Sequence, residues 1–265
     1  MQNSLLATNI ENDYLKNKII PEFKIMIDRD IYSLIINRQH QIEVCTNKSA
    51  QSVGMNSWED LIGYSFKEFQ DKNRLTEIFK ESYSAVLKDE IDVYVGKLLM
   101  LQEIVFSSCK VVQFIDMLPY NNQFLTYITT YIPIISPDGE VVAIQSFSIQ
   151  SYVLRFQGHI SSPNEVAKPD KLNNFTNREL EILFLLSNGA TQDQIAQILN
   201  ISRGTIAAVV SNQLCPKFKI AGANTRLLTE AAIKAGLYKH MPQSLWRPCL
   251  IVLNYDLLGI FSDDK

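Results

Sequence analysis

Apolar positions recur along this chain at two different periods, and the change of period divides it. Between Phe175 and Leu214 the spacing is helical: Leu180, Leu183, Phe184 and Leu186 form one set, Ile195, Ile198 and Leu199 a second, and Ile206, Val209, Val210 and Leu214 a third. Each set is preceded by a helix-start signal. Thr176 with Glu179, and Thr191 with Gln194, have the spacing of reciprocal capping boxes, and Ser202 offers a third cap. Phe175 with Leu180 and Ile201 with Ile206 are placed as hydrophobic staples, and Gly189 suits a left-handed helix stop. Three caps within about thirty residues predict a compact tri-helical unit with a tight link at Asn200–Ser202 between its second and third helices.

Upstream the pattern is β-like. Tyr32–Arg38 and His40–Cys45 read as a hairpin, and KVVQFIDML, QFLTYITTYIPII and EVVAIQSFSIQ as three later strands, the last two joined at Ser136-Pro-Asp-Gly139. Between these groups, helices are predicted over Arg74–Lys88 and from about Val93 to Phe106, with Asp89, Glu90 and Asp92 on a solvated connection. Residues 1–28 predict a helical segment whose apolar face is Leu15, Ile19, Ile20 and Phe23. Residues 157–171, with Gly, Ser and two Pro, read as a linker. A β-rich CLIVLNYD run and Trp246 lie in an extension over 237–265, expected to cover a core or to dock on the N-terminal domain or a second protomer.

With 265 residues and 46% hydrophobic content, the chain has material for two modest cores. Cys45, Cys109, Cys215 and Cys249 show neither CxxC pairing nor metal-ligand spacing, so reduced thiols in a cytoplasm are expected. The N-terminus lacks a basic stretch followed by an apolar core, and no apolar tract reaches membrane-spanning length, so neither a secretory leader nor a membrane partner is expected. Charge is uneven. From Asp170 to His240 eight Lys/Arg against five Asp/Glu leave +3, whereas the whole chain carries −3, so the remainder carries −6. A mildly basic module on an acidic body fits a DNA-binding head on a regulatory domain. Walker A, G-x-S-x-G, H-E-x-x-H and dinucleotide fingerprints are all absent, and no enzymatic activity is expected.

The run from Phe175 to Ile206 resembles the C-terminal helix-turn-helix of LuxR/GerE-type transcription regulators. Thr176, Arg178, Glu179, Leu183, Gly189, Thr191, Ile195, Ala196, Leu199, Ser202 and Thr205 match at fixed spacing. Two strands, several helices and a three-stranded meander resemble a PAS domain, with Thr46–Ala50, Asp60–Gly63 and Pro137–Val142 as supporting motifs. Together they imply an α+β chain. A PAS-like antiparallel sheet with helices over 29–156 is linked to an all-α LuxR-type helix-turn-helix over 172–236. The implied function is a cytoplasmic, dimeric DNA-binding transcription regulator with signal sensing in the PAS-like domain.

No cofactor is expected. Flavin-adduct PAS domains need a cysteine where this chain reads Gly63 to Phe69 without one. Haem would need an axial ligand, and His40 falls in a predicted turn, His159 in the linker and His240 after the last helix. A small-molecule ligand would be framed by Phe66, Phe106, Phe114, Tyr127 and Phe147, a set that also reads as plain core. For double-stranded DNA the candidates are Thr191, Gln192, Ser202, Arg203, Thr205, Ser211, Asn212, Lys217, Lys219 and Arg226. The reading helix, Arg203 to Cys215, is poor in donors: the family usually has Lys at Ala207 and His at Val209. Pro216 is expected to end it near Cys215, and residues four apart (Arg203, Ala207, Ser211, Cys215) to share one stripe. A second reading follows, in which a degenerate helix-turn-helix serves as a protein-interaction module with weak or no specific DNA binding.

Overall fold

The computed structural model describes residues 13–65, 67, 88–120, 123–151, 174–254 and 256–257. All of the predicted helix Arg74–Lys88 except Lys88, the linker at 157–171 and Phe66 lie outside them. The chain forms two compact units, one within residues 1–115, 127–150 and 252–255, the other within 116–126, 151–251 and 256–265.

In the first unit, β1 (Tyr32–Asn37) and β2 (Ile42–Cys45) form the antiparallel hairpin that the β-branched runs predict. Thr46 then caps α2 (Asn47–Ser52) by accepting the Ser49 amide at 3.2 Å. The long helix α3 runs Lys88–Ser108, five residues earlier than its apolar spacing alone suggests. Asp89 and Glu90 occupy its first turn, where carboxylates complement the positive end of the helix dipole, and so belong to the helix and not to a connection. Next come β3 (Val112–Tyr120), β4 (Gln123–Ile135) and β5 (Val141–Gln150), with the β4–β5 turn closed by the Gly139 amide donating to Ser136 O at 2.9 Å.

The sheet order is β2-β1-β5-β4-β3-β6, in which β6 (Cys249–Val252) is the C-terminal strand. Five of these strands have the PAS-like arrangement; the sixth comes from the C-terminal extension. Just past it, the Leu253 amide donates to Gln113 O at 2.9 Å, and Asn254 Nδ2 donates to Val111 O at 3.1 Å. The N-terminal helical run α1 (Leu15–Ile19, Ile20–Phe23 and Lys24–Met26 in succession) buries Leu15 and Phe23 with Ile35, Val44 and Ala143, and Ile19 and Ile20 pack alongside. Its predicted face is the one it uses.

The second unit contains α4 (Asn177–Ser187), α5 (Gln192–Leu199), α6 (Arg203–Val209) and α7 (Thr225–Lys234). Its core is Ile182–Leu186, Ile195, Ile198, Leu199, Ile206, Val210, Leu214 and Leu228. The segment after Gly236 joins that core: Leu237, Met241, Leu245 and Trp246 are all buried. The Ser244 hydroxyl donates to Glu181 Oε1 at 2.5 Å, Asn188 Nδ2 donates to Tyr238 O at 3.2 Å, and Arg247 donates to Ile198 O, a terminal carbonyl of α5, at 3.1 Å. Among the described residues no helix is long and apolar enough to cross a membrane.

Candidate nucleic-acid interface

Three caps set the directions of the helices. Thr176 accepts the Glu179 amide at 3.2 Å while Glu179 Oε2 accepts the Thr176 amide at 2.8 Å. Thr191 and Gln194 exchange the same pair of bonds at 3.2 and 2.9 Å, and Ser202 accepts the Thr205 amide at 3.1 Å. Asn200 takes a left-handed conformation (φ 51°), which turns the chain sharply between α5 and α6. The bend and the two caps beside it present α6 as a second helix with its N-terminal turn outward.

On α6 the exposed residues are Ser202, Arg203, Gly204, Thr205 and Ala208, followed by Asn212 and Gln213. Ala207, Val209 and Ser211 are half-buried, and Ile206, Val210 and Leu214 face the core. Arg203 Nε lies 3.1 Å from Asp193 Oδ1, with both side chains mostly in solvent. An exposed pair of this kind contributes about 0–1 kcal/mol, so the guanidinium can be drawn onto another acceptor at little cost. The Ser202 hydroxyl is engaged in the cap and with the Thr205 hydroxyl at 2.9 Å.

The helix stops near the expected place, but Pro216 lies inside it and does not break it: after Val209 it continues as a five-residue π turn, Val210–Leu214, and on through Cys215–Lys217. In an α-helix Pro216 would lack an amide for the fourth carbonyl behind it and its ring would crowd that group; the wider turn just ahead relieves both. Arg203, Ala207, Ser211 and Cys215 do not share the expected stripe, because Cys215 is fully buried while Arg203 is exposed. The wider turn rotates everything beyond it.

The remaining DNA candidates are dispersed. Gln192 Nε2 donates to Thr225 Oγ1 at 2.9 Å, tying α5 to α7. Thr191 is exposed at the start of α5, and Lys219 is exposed with φ 57° just past the reading helix. Arg226 lies on α7, paired with Glu230 at 3.2 Å. Lys217, though 36% exposed, is tied to the start of α4: its ammonium lies 2.6 Å from Glu179 Oε2 and 2.9 Å from Asn174 O. Burial alone pushes the Glu179 carboxyl up, but the Lys217 ammonium and the Thr176 amide outweigh it and hold the group below the ordinary carboxylate value. Sequence spacing missed this pair because its members are far apart along the chain; the only local hint was a capping carboxylate about to be buried.

In the PAS-like unit, Phe106, Phe114 and Tyr127 are buried, and Phe114 meets Tyr131 edge to face at 5.0 Å. Phe147 does not join them. It pairs with Thr130, whereas Tyr131 pairs with Ser146, and neighbours along a strand face opposite sides. His40, expected in a turn, is in one but is fully buried, with Nδ1 at 2.6 Å from Gln102 Oε1 and Nε2 at 2.7 Å from Glu103 Oε1. Its imidazole meets Phe106 edge-on at 5.8 Å.

Residues 173–223 match the family model described as bacterial regulatory proteins, luxR family. That segment is a LuxR-type helix-turn-helix domain. No curated protein matches the chain significantly. Among solved structures, the chain is similar to one described as VqmA bound to DPO, at 18% identity over 88% of this chain and 96% of that one, with a TM-score of 0.48. It is also similar to a phage VqmA–DPO complex, at 20% identity over 90% and 97%, with a TM-score of 0.49. The PAS domain of Bordetella pertussis BvgS aligns at 13% identity over 50% of this chain and 85% of that one, with a TM-score of 0.36.

Proposed function

We propose that this protein is a cytoplasmic DNA-binding transcription regulator. Its LuxR-type helix-turn-helix reads double-stranded DNA as a homodimer, and its PAS-like domain receives the signal. The carrying observation is the capped, sharply turned α5–α6 pair, which leaves the N-terminal turn of α6 exposed with Arg203 and Thr205 on it, and Asn212 and Gln213 exposed in the π turn that follows α6. A helix so presented fits the DNA major groove, where an Arg fork or an Asn amide matches base edges. Arg203 and Asn212 serve base readout, while Lys219, Arg226, Thr191 and Thr205 serve phosphates. A small molecule in the PAS-like interior would meet Phe106, Phe114 and Tyr127, and mass spectrometry of natively purified protein tests for one.

The test of DNA reading is selection from a randomised duplex pool, followed by binding to the selected sequence across a salt series. Log affinity should fall linearly with log salt, and Lys219→Ala should lower the slope by about 0.9. Arg203→Ala should lose discrimination at one base pair by about 1–3 kcal/mol. Failure to enrich any sequence over random duplex overturns the reading in favour of a protein-interaction module.

A further inference from the structure

Lys217 stands three residues past the π turn, at the end of the reading helix, and its ammonium is engaged with the start of α4 although the side chain is 36% exposed. It donates to Glu179 Oε2 at 2.6 Å and to Asn174 O at 2.9 Å, and its ammonium lies 5.2 Å from the centre of the Phe175 ring. The next residue, Phe218, stacks on that same ring, with centroids 5.7 Å apart and planes 29° from parallel. Glu179 is 3% exposed and its Oε2 also accepts the Thr176 amide. Two successive residues at the end of the reading helix therefore grip the point where the interdomain chain enters α4.

We propose that Lys217 is a positioning residue of the DNA-reading helix, not a phosphate contact, and that with Phe218 it fastens the incoming chain at Asn174–Phe175 to that helix. This rests on the DNA-reading function proposed above. An ammonium has three donors; two are committed here, and the Phe175 ring face lies on a further side of it. Swinging Lys217 out to a phosphate would strand a buried carboxylate, at a cost that exceeds what a solvent-screened contact offers in exchange. A shift of the entering chain must move Asn174 and Phe175 and so disturb the last turn of the reading helix.

The test uses the full chain with Lys217→Met, Glu179→Gln, the double variant and Lys217→Arg, each bound to the selected duplex across a salt series. Positioning predicts that Lys217→Met and Glu179→Gln each weaken binding by about tenfold, with the salt slope unchanged from wild type. The double variant should be no weaker than the weaker single one, since both break one unit, and Lys217→Arg should restore most of the affinity. In the DNA-free protein, hydrogen exchange at the Thr176 amide should accelerate in Lys217→Met and in Glu179→Gln. A slope lowered by about 0.9 in Lys217→Met, with Glu179→Gln binding normally, makes Lys217 a phosphate contact and overturns the proposal. Unchanged Thr176 exchange also overturns it. If the wild type selects no duplex, the DNA-reading function fails, and Thr176 exchange still decides whether the clamp exists.

Discussion

Replacing Leu237 with alanine asks whether the chain beyond Gly236 belongs to the core of the helix-turn-helix unit or only lies over it. Leu237 is 6% exposed, and its turn, Leu237–Lys239, packs against α4 and α7. The substitution removes three carbons that are almost wholly out of water. At about 0.8 kcal/mol per buried methylene the transfer term is about 2.4 kcal/mol, and the cavity left behind raises the loss into the range of about 2–5 kcal/mol. Native-state hydrogen exchange localises the effect. Amides of α4 from Leu183 to Ser187 exchange through opening of this unit, so a loss of about 3 kcal/mol speeds them roughly 150-fold. Amides of β1 and β5, in the other unit, should keep their rates and act as the control. Acceleration of the α4 amides below about threefold refutes the reasoning, because a residue merely lying on the surface costs at most about 0.5 kcal/mol when truncated.

Glu179 makes a prediction about pH. Its carboxyl is held below its ordinary value of 4.5 in the folded protein, so it adds stability above that value and loses it as pH falls through the lowered one. Thermal melts from about pH 6 to pH 3 should show this component in wild type and lack it in Glu179→Gln; identical profiles would exclude it. The cysteines should differ sharply in reactivity. Burial, helped by the nearby Glu59 charge, pushes the Cys45 thiol up to about 12, so it stays protonated at neutral pH, and Cys215 is equally buried. Peptide mapping after iodoacetamide treatment of native protein should find Cys109, which is exposed, modified first. Labelling of Cys45 as fast as Cys109 would contradict that burial.

The parts of this fold legible in the sequence are those that short-range chemistry decides. Thr176, Thr191 and Ser202 accept amides three residues ahead, and a contact that local survives almost any tertiary setting. Strand β4 is found where its β-branched and aromatic run lies, at Gln123–Ile135, and the turn chemistry of Ser136–Gly139 marks its end. What spacing missed depends on residues distant along the chain. The pairing of Lys217 needs Glu179 and Asn174 beside it, and the burial of His40 needs Gln102 and Glu103 on a helix far downstream. The sixth strand is a pairing choice that no local pattern encodes, since CLIV would suit any open sheet edge. Phe147 failed as a cavity residue through a one-residue parity that only strand register settles.

The widened turn at Val210–Leu214 limits how much a single reading helix can say. Ahead of it, Arg203–Val209 comprises seven residues, about 10 Å of helix at about 1.5 Å per residue. That is the length of about three base-pair steps of about 3.4 Å. With so few letters within reach, and Arg203 on that stretch and Asn212 in the widened turn as the proposed base contacts, one copy would not single out a site in a genome. Under the proposed DNA-reading function, selectivity of about 4–10 kcal/mol over random sequence would have to come from two copies each reading a short word. The distance and orientation between the two words would then carry as much of the address as their spelling.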